Sequence, residues 1–230
     1  MKIVEVSSPA HQKEFIEMAV QLYKNEPNWI RPLDKDIEGL FHAETNKLFK
    51  LGGKAKRWLL QDDNGKTIGR IAAFVNPKWK EKQPTGGLGF FECIENQKAA
   101  FLLMDTAKNW LQEQGMEAMD GPVNFGERDK WWGLLVQGFS PPNYNMPWNF
   151  AYYKEFFEAY GFQIYFKQFT YMRPVKGVGF DPKMIDRADK IIGDPDFEFR
   201  HMTGKELSEK LNYIKGKAAY VSYSIRILNN

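Results

Sequence analysis

The chain has a single cysteine, Cys93, and three histidines, His11, His42 and His201. One thiol cannot close an internal disulfide, which excludes a disulfide-stapled secreted scaffold. The histidines lie far apart, and no Cys/His spacing suggests zinc, so no metal is expected. No stretch approaches the roughly 20 apolar residues of a membrane span. The opening MKIVEVSSPAHQKEF has no apolar signal core. No membrane partner is expected, and a reducing cytoplasm is the expected compartment. Charge of one sign is also scarce. Thirty-two basic residues face 29 acidic ones, a net +3. With no recognition motif beside it, that balance predicts no nucleic-acid partner.

What the sequence does have is aromatic carbon. Hydrophobic residues make up 43% and aromatics 15%, with 18 Phe, 10 Tyr and 7 Trp. Such a composition folds around a core rather than staying disordered. A length of 230 residues predicts one large domain, or one domain with an extension.

Local patterns predict the elements. Lys2–Val6 reads as a strand. Ser8-Pro9 reads as an N-cap with proline at the first helical position, and Phe15, Met18, Ala19 and Leu22 then recur at helical spacing before Pro27. Asp34 is expected to cap a short helix carrying Ile37, Leu40 and Phe41. Strands are expected over Arg57–Gln61, Lys66–Val75 and Gly87–Ile94, the first two joined by the turn Asp62-Asp-Asn-Gly65. In the third, Phe90, Glu92 and Ile94 share one face, and Phe91 and Cys93 the other.

Ala100, Leu103, Met104, Ala107, Trp110 and Leu111 form one face of a helix over Gln97–Gln114, stopped by Gly115. A strand is expected over Glu117–Val123. Then comes an aromatic insertion, 124–150, in which a helix is expected around 128–136, because so long a structureless loop is unusual. A helix over Ala151–Tyr160 and a strand over Gln163–Met172 follow. Asp181-Pro182 caps a further helix, and Thr203-Gly-Lys-Glu206 fits a capping box for another.

The run Ala151-Tyr-Tyr-Lys-Glu-Phe-Phe-Glu-Ala-Tyr-Gly-Phe162 closes a series of elements β-α-α-β-β-β-α-β-α-β. Over roughly residues 1–172 this resembles the GNAT superfamily, the acetyl-CoA-dependent N-acyltransferases. Gly121-Pro-Val-Asn124, Gly133-Leu-Leu-Val-Gln-Gly-Phe139 and Pro141-Pro142 resemble an uncharacterised bacterial GNAT-like group. The implied fold is α/β, with a mixed sheet, over 1–172. Residues 173–230 are then a helical extension or linker, which reads as truncated at its end. Members of that group often continue into a second GNAT-like half, so such a half, or a homo-oligomer, is an implied partner.

The resemblance implies acetyl-CoA or another acyl-CoA as co-substrate, and a small-molecule or peptide amine as acceptor. It places the pyrophosphate at the start of the helix after the fourth strand, against Ile94, Asn96, Gln97, Lys98 and Ala99. It makes Glu92 the candidate base, and Tyr153, one turn before the superfamily's usual tyrosine position, the candidate acid if the helix is displaced. Asn124, Trp131, Trp132 and Tyr152 are the candidate substrate contacts.

Two departures stand beside it. No glycine occurs in Glu95–Ala100, and the superfamily's usual tyrosine position, four residues before Gly161, holds Phe157. These keep open a second reading, a GNAT-like domain that binds a ligand or partner without acyl transfer. A solvated strand position also remains open for Glu92, core packing for Tyr153, and turn closure for Asn124.

Overall fold

The structure is a computed structural model, and it describes residues 1–80, 82–127, 130–172, 174 and 179–196. The chain divides into two compact units, Met1–Phe169 and Thr170–Asn230.

The first unit is built on a five-stranded mixed sheet, ordered β1-β2-β3-β4-β5. Its strands are β1 (Lys2–Glu5), β2 (Lys54–Gln61), β3 (Thr67–Val75), β4 (Thr85–Cys93) and β5 (Ala118–Asp120). The first four pair antiparallel, and β5 lies parallel to β4. A parallel neighbour needs a crossover, and helix α4 (Gln97–Glu113) supplies it. The mixed α/β class is as expected.

Alternation along the strands divides the apolar residues between two faces. Trp58, Leu60, Ile71, Ala73, Phe91 and Cys93 pack with α4 and with α5 (Tyr153–Tyr160). On the opposite face Leu59, Ala72 and Phe90 meet Phe15 of α1 (Pro9–Leu22) and Phe41 of α2 (Asp34–Phe41). Between Arg70 and Ala72 the register with β4 slips, and Phe90 takes a φ of 49°. This bulge re-aims the end of β4. Phe90 and Glu92 turn to the α1 side while Phe91 and Cys93 stay in the α4 core, the division the alternation predicted.

The expected Ser8 cap accepts the His11 amide at 3.2 Å. Several elements differ from expectation. Leu33, not Asp34, is the N-cap of α2, and Asp34 sits in the first turn, where a carboxylate meets the positive helix end. A one-turn helix α3 (Lys47–Lys50), capped by Asn46, was not foreseen. β5 is shorter than 117–123 because Gly121-Pro122 follows it, and proline has no N–H for the ladder. Residues 130–136 form no helix: Trp131 and Gly133 have φ values of 41° and 93°, which a right-handed helix does not admit.

Residues 163–172 form no strand either. Their side chains are exposed on both faces, so no buried side draws them onto a sheet. In the second unit, α6 (Pro182–Ile192) is capped by Asp181 as expected. The helix expected after Thr203 lies outside the described residues.

Candidate active site

Beyond Gly87, β4 has no β5 partner. Its backbone groups near Cys93 are met by side chains instead. The Cys93 N–H donates to the Tyr153 hydroxyl at 2.8 Å, and the Tyr152 hydroxyl donates to the Cys93 carbonyl at 2.8 Å. Two adjacent tyrosines at the start of α5 thus close the sheet edge where a strand would otherwise lie. The close approach of chain to chain begins at Gly89, where a Cβ would fall 1.8 Å from the Val123 carbonyl oxygen.

Glu92 is the centre of the constellation. Its side chain is 12% exposed, and that of Arg70 is 5% exposed. Tyr153 donates to Glu92 Oε2 at 2.9 Å, and Tyr23, the last-turn cap of α1, donates to the same oxygen. Arg70 Nη2 lies 3.5 Å from Oε1, while its Nη1 donates to the Phe15 carbonyl at 2.6 Å. Oε2 thus carries two phenols, and Oε1 has the long Arg70 contact and room for a further donor. Tyr23 is held flat between Trp29 and Phe150, with ring centroids 5.0 and 4.8 Å away. α1, β3, β4 and α5 each supply one polar side chain to this point.

Burial dominates the acid–base properties. It raises the Glu92 carboxyl above its ordinary value, and Arg70 and the two phenols oppose the rise. Burial and the Glu92 charge push Tyr153 and Tyr23 well above the usual phenol range. Burial lowers Arg70, against the pull of Glu92. The Cys93 thiol is pushed up to about 12 by burial and by Glu92, which leaves it inert.

Glu92, Arg70 and Tyr153 are among the polar residues of a cleft whose walls include Ile16, Val20, Trp29, Ile37, Phe90 and Trp131. Its volume is about 90 Å³, several times the roughly 10–15 Å³ that one water needs. It admits a functional group and the atoms next to it. Phe90 and Trp131, two of the non-glycine residues with positive φ, both line it and pack against one another, ring centroids 5.7 Å apart. Strained backbone of this kind persists where surrounding structure enforces it.

Of the residues singled out in the sequence, Glu92, Tyr153 and Trp131 meet at this cleft, with Tyr152 one residue away on the Cys93 carbonyl. Ile94, Asn96, Gln97 and Lys98 are exposed at the start of α4. Ala99 is fully buried, and its N–H donates to Asn96 Oδ1 at 3.1 Å, so it presents neither side chain nor amide to a ligand. Asn124 and Trp132 do not border the cleft. Asn124 holds the loop through the Glu127 and Lys130 carbonyls. Trp132 packs against Trp79 beside Phe74 and Phe125. Phe157 is core, edge-on to Phe91 at 5.2 Å.

Sequence reading missed Tyr23 and Arg70. Arg70 carried a signal: it is the lone charge in β3, and a buried charge requires a partner. Tyr23 continues the Phe15–Ala19 face of α1 by one more turn.

No family model matches this chain. It is 28% identical over 145 residues to a protein of Caulobacter vibrioides named bacterial ceramide synthase, covering 62% of this chain and 37% of that protein. It is 26% identical over 186 residues to protein YghO of Escherichia coli, covering 78% and 47%. The chain thus spans less than half the length of the curated relatives it matches. Solved structures similar to it include an acetyltransferase of the GNAT family from Staphylococcus aureus. The TM-score there is 0.37 and the identity 20%, covering 51% of this chain and 69% of that one. Glucosamine-6-phosphate N-acetyltransferase from Arabidopsis thaliana gives a TM-score of 0.44 at 12% identity, covering 74% and 97%. An aminoglycoside acetyltransferase from an uncultured soil metagenomic sample gives 0.46 at 12%, covering 75% and 96%.

Proposed function

We propose that the chain carries an N-acyltransferase site, at which an acyl-CoA thioester gives its acyl group directly to an amine. The observation that carries this reading is the buried Glu92 carboxylate at the floor of an apolar cleft, hydrogen-bonded to Tyr153. Ceramide is by definition an N-acylated amine, so the name of the Caulobacter relative supports amide formation as the reaction class.

Acyl-CoA supplies an activated carbonyl and a thiolate leaving group. The start of α4 suits its phosphates. The amides of Gln97 and Lys98 lie in the first turn of a 17-residue helix, where amides have no intrahelical partner, and the lysine adds positive charge. The Asn96 cap leaves no glycine cradle, which predicts modest affinity.

At the cleft, Glu92 Oε1 accepts a proton from the amine. Burial has raised its basicity, and Arg70 opposes that rise. The amine nitrogen bonds to the carbonyl carbon and the carbon–sulfur bond breaks. Tyr153, bonded to Glu92, then returns a proton to the departing sulfur. The reaction needs no covalent enzyme intermediate and no metal.

A second reading is a binding module without acyl transfer. Its support is Phe157 at the superfamily's usual tyrosine position, and the phenols already bonded to both backbone groups of Cys93.

Acyl-CoA titration by calorimetry, with amine-dependent thiol release, separates the two. The buried Cys93 adds little background to a thiol reagent. Acyl transfer requires binding and release, both dependent on the intact site. Absence of binding at millimolar acyl-CoA would overturn it in favour of the binding module.

A further inference from the structure

Resting on the acyl-transfer reading for the amine head, we infer that the acceptor carries its amine on an apolar body, an alkyl or aromatic chain. Amino sugars and cationic peptides are then poor acceptors. Three observations converge on this.

The first is the bonding state of the polar groups around the cleft. Asn149 borders it, but its amide is spent on Leu135 and Phe150: it accepts the Leu135 N–H at 2.8 Å, and donates to the Leu135 and Phe150 carbonyls at 3.1 and 2.9 Å. Arg31 borders the rim with its guanidinium engaged by Glu17 at 2.8 Å and Asp34 at 2.9 Å. A sugar hydroxyl at either of these side chains meets groups already bonded elsewhere; the unpartnered buried donors lining the cleft, Arg70 Nε and Trp148 Nε1, are too few for the several hydroxyls of a sugar.

The second is charge. The floor holds one carboxylate, Glu92, balanced by one guanidinium, Arg70. That arrangement offers one carboxylate to a single amine, and among the described residues the lining holds no second carboxylate for a further cationic group. The third is continuity. The apolar wall runs outward from Ile16, Val20 and Ile37 to Ile30, which is 55% exposed at the edge. A chain attached to the amine meets a wall that is mainly carbon.

The experiment uses the full chain and primary n-alkylamines from propyl to octyl, with octanol and glucosamine as comparators. Trp29, Trp131 and Trp148 line the cleft, so tryptophan fluorescence reports occupancy, and calorimetry gives affinity. Each methylene taken up by the wall should strengthen binding by about three- to fourfold. Octylamine should bind better than octanol, and Glu92→Gln should remove that preference while keeping the chain-length trend. Val20→Trp, which fills the cleft from a half-buried position, and Ile30→Ser, on an exposed edge, should both flatten the trend.

A trend unchanged in both variants would mean binding elsewhere and would overturn the inference. So would glucosamine binding as well as octylamine. A chain-length trend in the acyl-CoA series but not in the amines would assign the cleft to the acyl chain, and also overturn it. Graded amine binding at the cleft without thiol release would defeat acyl transfer alone. Thiol release with short polar amines preferred would defeat this inference alone.

Discussion

Arg70 stands directly across the β3–β4 pair from Glu92, and its Nη2 lies 3.5 Å from the carboxylate. Both side chains are nearly out of solvent. Such a pair adds little net stability, because desolvation offsets attraction, but removing one partner strands the other. Arg70→Met is expected to cost about 3–5 kcal/mol, read by urea denaturation. Arg70 also opposes the burial-driven rise of the Glu92 carboxyl. In surviving folded enzyme, the acid limb of kcat/KM should therefore move to higher pH, and Arg70→Lys should restore part of the shift. An acid limb unmoved in Arg70→Met would remove Arg70 from the site's chemistry.

Glu92 also predicts how stability follows pH. Its carboxyl is raised on folding, so the folded state holds that proton more tightly than the unfolded state. The stability contributed by the protonated form is complete below the unfolded value and is lost as pH rises through the folded one. Glu92→Gln cannot titrate. The Tm of the variant relative to the parent should rise steadily from about pH 4 toward neutrality. A constant difference would refute the raised carboxyl. At neutral pH the same substitution should lower acyl-transfer turnover by about 10²–10⁴-fold if Glu92 is the base.

Tyr153 and Phe157 lie one turn apart on α5 and have opposite expectations. Tyr153→Phe leaves the Cys93 amide without its buried acceptor and takes one donor from Glu92. The cost is about 1–3 kcal/mol of stability, with slower thiol release. Phe157→Tyr buries a new hydroxyl among Phe91 and Phe162. It should destabilise by a similar amount and leave the rate no higher. A faster Phe157→Tyr enzyme would show that the leaving group departs at Phe157 rather than at Tyr153.

Gly89 is required by the packing of chain on chain. A Cβ there would lie 1.8 Å from the Val123 carbonyl oxygen, a backbone atom that cannot turn aside. Gly89→Ala should therefore reach the range above about 4 kcal/mol that marks a broken structural feature. Gly65→Ala, in a β2–β3 turn with nothing near its Cβ and a φ of 79°, should cost only its backbone strain, about 1–2 kcal/mol. Equal soluble yield and equal Tm for the two variants would contradict this.

The helices and inner strands were legible because each is written in local periodicity. The Ser8 and Asp181 caps, the α4 face and the alternation of Phe90 and Glu92 against Phe91 and Cys93 all follow from neighbours in sequence. Leu33 as a cap, the missing helix at Trp131 and the unformed strand over 163–172 do not. Trp131 adopts its φ of 41° while its N–H donates to the Asn145 carbonyl at 2.7 Å, a partner fourteen residues away. No window around Trp131 contains that information. At the site, Glu92 and Tyr153 were legible as residues on named elements. Tyr23 and Arg70 became partners only when α1 and β3 were laid beside β4.

Asn96 ties the stability of α4 to the proposed use of its start as a phosphate site. Its side chain accepts the Ala99 N–H at 3.1 Å, so one of the amides that a helix start would offer to an anion is already occupied. Asn96→Ala removes that cap and should cost about 0.5–2 kcal/mol of stability. The same change releases the Ala99 amide to compete for phosphate, so acyl-CoA affinity should hold or rise while Tm falls. Lys98→Glu should act oppositely, weakening acyl-CoA binding with little change in Tm, since Lys98 is exposed. That loss should shrink as salt is added, because screening weakens the exposed charge. Acyl-CoA affinity that falls with Asn96→Ala and ignores Lys98→Glu would move the phosphates away from the start of α4.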